Sequence, residues 1–146
     1  MGVYARFKKD PEGFRHLVEL LESTPLSRRK KMIDVGMLED PSYTEKALSY
    51  VLSFQDVLEL NDLELAEVIA EMPGRLTGYA VHSASEEVKS RFISKAQPKV
   101  AMEIREALEE SNVGPAQIGG GQTKMIETTR KLERKGLIQK KRIPVI

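Results

Sequence analysis

The sequence predicts an all-α protein, and three observations support that prediction. Apolar residues recur at helical spacing, as between Phe14 and Leu21, where they fall at i, i+3, i+4 and i+7. Helix-start pairs such as Asp10-Pro11 and Asp40-Pro41 alternate with breaks such as Thr24-Pro25. Before the tail that follows Gly136, no segment shows the period-two alternation of a strand.

The composition limits the classes of function. Hydrophobic residues make up 40% and charged residues 31% of the 146 residues, which allows a buried core beneath a charged surface. With 23 basic and 22 acidic side chains the net charge is +1, so no overall field attracts nucleic acid or an anionic membrane. The chain has no cysteine, no signal-like N-terminus and no apolar run long enough to span a membrane. We therefore expect a cytoplasmic protein that binds other proteins.

The first fifty residues are expected to form three helices. The first begins at Pro11 and ends at Thr24. The second runs from about Leu26 to Val35, and Gly36 is the expected terminating residue. The third begins at Pro41.

About six helices are expected after Val51. Ser53 and Asp56 have the spacing of a capping box, and Ser83 and Glu86 repeat it. The triplet Gly119–Gly121 is expected to be a flexible joint before a last helix from about Gln122 to Lys135.

We expect no catalytic residue, no metal site and no cofactor, and therefore no enzyme. His16 and His82 are far apart, and neither has a partner at metal-ligand spacing. The segment from Gly119 to Lys124 lacks the residue order of a phosphate-binding loop, and no strand leads into it.

The predicted helix from Pro98 to Asn112 has two distinct faces. Its inward stripe consists of Ala101, Ile104 and Leu108. The opposite face bears charged residues at i, i+4, i+7 and i+11, namely Lys99, Glu103, Glu106 and Glu110. This face is either solvated surface or a charged contact surface, and spacing does not distinguish the two.

A second motif suggests a different class of function. The string from Thr128 to Ile138, in which Arg130 and Lys131 precede Gly136, is typical of a winged-helix recognition helix entering its wing. A winged-helix nucleic-acid-binding protein is therefore one alternative. A generic helical scaffold for protein interactions is the other, and a helix ended by glycine is the plainer interpretation of the string.

Six short motifs match one family in order and spacing. They are Val51–Val57 against a Met-Phe-x-Phe hinge, Leu60–Leu65 against Asp-Asp-Arg-x-Ile-Gln, Tyr79–Ala84 against Ala-Leu-Lys-Gly-Ala, Val88–Phe92 against Leu-Arg-Glu-Lys-Phe, Gly114-Pro115 against Gly-Pro, and Arg130–Gly136 against Arg-Arg-Leu-x-x-x-Gly. On these motifs the chain, from Phe14 to about Ile138, resembles the C-terminal region of the flagellar motor switch protein FliG.

The resemblance implies an armadillo-like, right-handed helical superhelix of about nine short helices in two subdomains. Residues 1–50 would form an armadillo-like helical subdomain and residues 57–146 a C-terminal charged-helix subdomain. A hinge over 51–56 would join them, and its residues are Val51, Leu52, Ser53 and Phe54.

The resemblance also implies partner-binding residues. His82 falls at the family's lysine, Lys99 at the arginine that opens the charged helix, and Gln117 at the arginine after Gly-Pro. Glu106 matches one member of an adjacent acidic pair, and Glu103 lies on the same predicted face. These five residues are the predicted contact site.

The implied role is that of a rotor component in torque generation and rotation switching. The implied partners are a MotA-like stator cytoplasmic loop, a FliM-like switch protein and neighbouring copies of the chain, with no nucleic acid. The expected location is the cytoplasmic face of the inner membrane at the flagellar basal body, where the chain would be peripheral to the membrane through the assembly only.

Overall fold

The computed structural model describes residues 3–144, the side chain of residue 3 excepted, and that part of the chain contains helices and no strand. The helices are α1 Val3–Lys9, α2 Gly13–Ser23, α3 Leu26–Glu39, α4 Pro41–Tyr50, α5 Phe54–Leu58, α6 Asp62–Glu71, α7 Gly74–Ala80, α8 Glu86–Ser94, α9 Pro98–Glu109 and α10 Pro115–Arg134. The all-α prediction is confirmed. The one helix that the sequence did not predict is α1.

Contacts divide the chain into two compact units. The first consists of residues 3–52 with 141–144, and the second of residues 53–140. The predicted second subdomain, 57–146, differs from the second unit at its end, because residues 141–144 belong to the first. Ile143 is buried in the first unit's core, and the Lys141 ammonium donates to the carbonyl of Val51 at 2.9 Å.

The core of the first unit forms around α2, whose Leu17, Val18 and Leu21 are fully buried. Helix α1 adds Tyr4, which is 2% exposed and donates its hydroxyl to the carbonyl of Met32 at 2.6 Å. Burial, with a smaller contribution from the charge of Glu39, raises the pKa of the Tyr4 phenol. Tyr4 therefore helps to attach a helix that has no strong start signal in the sequence, together with Phe7 on the same core and the ion pair of Lys8 with Asp40.

Gly36 lies within α3 and does not end it, so that prediction is wrong. A Cβ atom at Gly36 would lie 2.5 Å from both the Tyr4 ring and the Thr44 hydroxyl oxygen. The glycine therefore permits close approach of α1 and α4. Helix α3 ends at Glu39, and the next residue, Asp40, caps α4 by accepting the Tyr43 N–H at 3.1 Å.

Side-chain caps begin three helices of the second unit. At α5 the predicted capping box is present, with the Asp56 N–H donating to the Ser53 hydroxyl at 3.2 Å and the Ser53 N–H donating to the Asp56 carboxylate at 2.8 Å. Asn61 caps α6 through the Glu64 N–H at 2.8 Å. Helix α8 is capped by Ser85 and begins two residues later than the Ser83 spacing predicted.

Helix α7 packs between α9 and α10, and glycines make both contacts close. A Cβ at Gly78 would lie 2.5 Å from the Ala107 Cβ on α9. A Cβ at Gly121 of α10 would lie 2.7 Å from the Leu76 carbonyl oxygen and 2.8 Å from the Ala80 nitrogen on α7. No larger residue fits at either point without displacing a neighbouring helix.

The triplet Gly119–Gly121 is not a flexible joint, because α10 runs through it from Pro115 to Arg134. Pro115 occupies the first turn, where its missing N–H has no cost, and the Gln117 side-chain oxygen accepts the Gly114 N–H at 2.7 Å. The buried contact of Gly121 with α7 holds this part of the helix in place.

The end of α10 contradicts the winged-helix interpretation. Arg130 is 3% exposed and Glu133 2% exposed, and their side chains form an ion pair at 2.7 Å. The neighbouring Thr128 and Thr129 are also buried. Recognition side chains must reach base edges, and these are inside the core. The described tail after Gly136 contains no strand that could serve as a wing.

Arg91 on α8 connects the C-terminal end of α5 to the first residue of α6. Its guanidinium donates to the carbonyls of Leu58 at 2.8 Å and Leu60 at 2.6 Å, and to the Asp62 carboxylate at 3.1 Å. The Lys95 ammonium lies 3.3 Å from the other Asp62 oxygen. Hydrogen bonds from Arg91 and then Lys95 lower the pKa of Asp62 below its ordinary value.

The contact between α7 and α10 predicts opposite effects for two adjacent glycines. We expect Gly121→Ala to destabilise the protein by about 1–3 kcal/mol, because the new methyl group meets backbone atoms of α7. Gly120→Ala should stabilise it by about 0.5–1 kcal/mol, because a Cβ there has nothing within 4 Å and alanine favours a helix. Urea unfolding of both variants measures the difference, and equal effects would contradict the packing described.

The ion pairs of Asp62 predict that the stability of the fold depends on pH. A lowered pKa in the folded state stabilises the fold above the ordinary value of 3.8, and this contribution disappears as pH falls through the folded-state pKa. Asp62→Asn should therefore lower the melting temperature at pH 7, and the difference from the wild type should vanish in strong acid. NMR titration of the Asp62 carboxyl should show its pKa rising in Lys95→Gln but not in Lys89→Gln, a control on the same helix.

Candidate functional site

Helix α9 separates a buried face from a charged one. Ala101, Ile104 and Ala107 are buried, and Leu108 is half-buried against the second unit's core. The predicted inward positions Ala101, Ile104 and Leu108 therefore do face the core. The charged residues of the helix lie on its remaining surface, where their exposure differs from one to the next.

Three of the five predicted contact residues lie on α9. Lys99 and Glu106 are exposed. Glu103 is half-buried because it packs beside α7. A Cβ atom added at Gly74 of that helix would lie 2.6 Å from the Glu103 Cβ. The three therefore do not form a uniform exposed row, and the helix presents its charges at two depths.

The other two predicted residues lie elsewhere in the second unit. His82 follows α7, is half-buried, and has its Nε2 atom 3.4 Å from the Glu110 carbonyl oxygen. Gln117 is exposed in the first turn of α10, where it caps the helix. No hydrogen bond or ion pair within residues 3–144 joins Gln117 to the other four.

A cluster of three residues, which we call the Arg75 cluster, was missed by sequence reasoning. The Arg75 Nε donates to the Tyr79 hydroxyl at 2.5 Å, and its Nη2 donates to the Glu110 carboxylate at 3.0 Å. The Tyr79 hydroxyl donates to the same carboxylate oxygen at 3.0 Å. The guanidinium also lies 5.4 Å from the centre of the Tyr79 ring. The cluster joins α7 to the C-terminal end of α9.

The sequence contains part of the signal for this cluster. Arg75 and Tyr79 are four residues apart, a spacing that places two side chains on one face of a helix. Glu110 follows Arg75 by 35 residues, so only the packing of α7 on α9 brings the carboxylate within reach.

Hydrogen bonds within the Arg75 cluster favour the charged forms of Arg75 and Glu110. Hydrogen bonds from Arg75 and then Tyr79 lower the pKa of the Glu110 carboxyl. The hydrogen bond with Glu110, followed by that with Tyr79, raises the pKa of Arg75. The arginine and the carboxylate therefore remain ionised at neutral pH.

A shallow groove runs between α7 and α9 beside the cluster. Arg75 forms one wall, and carboxylates from successive turns of α9 form the other. The lining residues are Arg75, Glu103, Glu106, Ala107 and Glu110. Ala107 lines the groove as a small apolar residue, and it packs directly against Gly78. A groove of this kind suits the charged side chains of a protein partner.

Within residues 3–144 no group of three or more His, Asp or Glu side chains is placed to hold a metal ion. None of the helices in that range combines the length and apolar character needed to cross a bilayer.

The predicted hinge residues are anchored differently on either side of the boundary between the units. The backbone N–H of Leu52, which is 1% exposed, donates to the Glu22 carboxylate of the first unit at 2.8 Å. Ser53 is exposed and caps α5, and Phe54 packs against the core of the second unit. Val51 is half-buried.

Comparison with known proteins identifies related sequences. The family model of the FliG C-terminal domain matches residues 38–139. The flagellar motor switch protein FliG of Thermotoga maritima is 26% identical over 140 residues, covering 94% of this chain and 41% of the relative. FliG of Aquifex aeolicus is 26% identical over 131 residues, covering 88% and 39%. The chain thus spans about two fifths of the length of these curated relatives.

Solved structures show the same fold. A crystal structure of FliG residues 86–343 from H. pylori superposes with a TM-score of 0.64 at 17% identity, covering 86% of this chain and 60% of that one. Full-length FliG from Aquifex aeolicus gives a TM-score of 0.54 at 24% identity, covering 86% and 39%. The armadillo-like helical fold is thereby confirmed. Since the family model matches more than half of its residues, the chain belongs to the FliG C-terminal domain family.

Proposed function

We propose that the chain acts as a rotor component of a flagellar motor switch and engages a stator cytoplasmic loop through the charged surface of α9. The observation that supports this most directly is the exposure of Lys99 and Glu106 on a helix whose other face is in the core. Membership of the FliG C-terminal domain family supplies the biological setting.

Physical reasoning favours contact over folding as the role of these two charges. Neither Lys99 nor Glu106 forms an ion pair with another residue in the range 3–144. Exposed charges contribute little to stability even when paired. Opposite charges on a partner, by contrast, increase the rate of encounter and select the partner.

Membership of the FliG C-terminal domain family also suggests further partners. We propose that a FliM-like switch protein and neighbouring copies of the chain also bind, and that the first unit supplies a surface for them. Leu26 and Leu38 on α3 are 76% and 87% exposed, and exposed large apolar side chains favour protein contacts. The role is one of binding and not of catalysis, at the cytoplasmic face of the inner membrane, where assembly partners hold the chain near the bilayer.

We also propose that residues 51–56 act as a hinge between a helical subdomain before residue 51 and a charged-helix subdomain after residue 56. The boundary between the two compact units falls between Leu52 and Ser53, inside this segment. A hinge needs a few residues outside regular structure to absorb changes in backbone angles, and residues 51–53 are not helical.

The proposed hinge predicts that the distance between a residue of one unit and a residue of the other varies. The chain has no cysteine, so Glu45→Cys with Glu67→Cys places one spin label on each unit. We expect a broad or multimodal distance distribution by pulsed electron resonance, because the segment permits several orientations. The control pair Glu67→Cys with Lys124→Cys lies within the second unit and should give one narrow distance. Equally narrow distributions for both pairs would contradict the hinge.

The charged surface of α9 predicts that charge reversals there change partner binding and leave stability nearly unchanged. Lys99→Glu and Glu106→Lys should leave the melting temperature nearly unchanged, because both side chains are exposed. Each should weaken binding to the stator or reduce motility, and added salt should diminish the difference.

The exposed residue Glu87 on α8 provides the control, because Glu87→Lys changes the net charge as Glu106→Lys does. The proposal requires this control to bind and swim like the wild type. An opposite charge introduced on the stator loop should partly restore the α9 variants. Wild-type behaviour of both α9 reversals would remove the proposed stator contact.

A further inference from the structure

We propose that Arg75 is a partner-binding residue that takes a carboxylate of the partner protein, in a groove whose opposite wall accepts a basic side chain of the same partner. This inference rests on the proposed function and adds to it the identity and orientation of the contacting charges. Arg75 is not among the five residues that the sequence predicted.

The guanidinium of Arg75 has one edge bound and another open. Its Nε donates to Tyr79 and its Nη2 to Glu110, which together use the side edge. An arginine has five N–H donors, so both N–H groups of Nη1 and one of Nη2 remain. One N–H of Nη1 and the remaining N–H of Nη2 form the end edge of the fork, whose geometry matches a carboxylate with two parallel hydrogen bonds. The side chain is 68% exposed, so a partner can reach that edge.

The Arg75 cluster also orients this arginine before any partner arrives. Two hydrogen bonds and the contact with the Tyr79 ring restrict its rotamers. A free surface arginine would lose side-chain entropy on binding, whereas a restrained one has already lost most of it. The ring is itself fixed, because Tyr79 is 6% exposed.

The acidic wall of the groove determines the direction from which a carboxylate can approach. Glu103 and Glu106 project from α9, and within residues 3–144 neither has an ion-pair partner. A carboxylate of the partner near this wall would be repelled, whereas a lysine or arginine there would be attracted. The groove therefore fits a segment that presents an acidic residue towards α7 and a basic residue towards α9.

Arg75 also supplies a positive charge at the end of the groove that is distant from Lys99. Among the five predicted residues only Lys99 is permanently cationic, and Gln117 carries no charge. Lys99 lies 11 residues before Glu110, a rise of about 16 Å along a helix. The end of the groove near Glu110 thus depends on Arg75 for its positive charge.

The experiment uses the full chain and the stator complex of its host reconstituted in lipid nanodiscs, with affinity measured by biolayer interferometry at two salt concentrations. We expect Arg75→Gln to weaken binding about tenfold, as loss of a charge-assisted hydrogen bond does, with only a small decrease in melting temperature because the lost ion pair is exposed. Arg75→Lys should recover only part of the affinity, because lysine keeps the charge and lacks the fork. If Arg75→Lys instead binds as tightly as the wild type, the two-point contact is wrong.

A charge exchange tests the orientation. The double variant Arg75→Glu with Glu106→Arg keeps the net charge and reverses the direction of the groove, so we expect it to bind more weakly than either single variant. Wild-type affinity of Arg75→Gln, with weakened binding by Lys99→Glu and Glu106→Lys, would overturn the role of Arg75 and leave the proposed function standing. Wild-type affinity of all these variants would overturn both.

Discussion

The close packing of α7 between α9 and α10 is the constraint on which the second unit depends. Gly78 meets Ala107 on one side of α7, and Gly121 meets the backbone of Leu76 and Ala80 on the other. Glycine is a poor residue for a helix interior, so these positions reduce helix propensity in exchange for short distances between helices. The short distances fix where α9 presents its charges, and the small residue Ala107 lines the groove between them and α7.

Local signals in the sequence were sufficient for most of the fold. Caps and proline positions predicted α4 and α5 correctly, because a capping side chain acts within three residues of its own helix. The glycines were misread for the opposite reason. Gly36 and Gly121 look like helix ends or joints locally, and only contacts with distant residues explain them. Helix α1 was missed since the burial of Tyr4 holds it in place and its sequence contains no cap.

The candidate site was predicted in part. Lys99 and Glu106 are on the exposed face of α9 as the helical period requires, because that period follows from the sequence alone. The partial burial of Glu103 and the contacts of Glu110 depend on α7, which no spacing within α9 could reveal. Arg75 was missed for the same reason. A surface charge can be recognised from one helix, but a charged groove needs two.

The path of the chain limits what the proposed hinge can do. The chain passes from the first unit to the second after Leu52 and returns after Lys140, so there are two covalent crossings. Residues on both sides of each crossing are held, since Leu52 bonds to Glu22, Lys140 to Glu59 and Lys141 to Val51. A change of backbone angles at one crossing alone is therefore not enough. A hinge in this protein would have to accommodate motion between Leu52 and Ser53 and between Lys140 and Lys141 together.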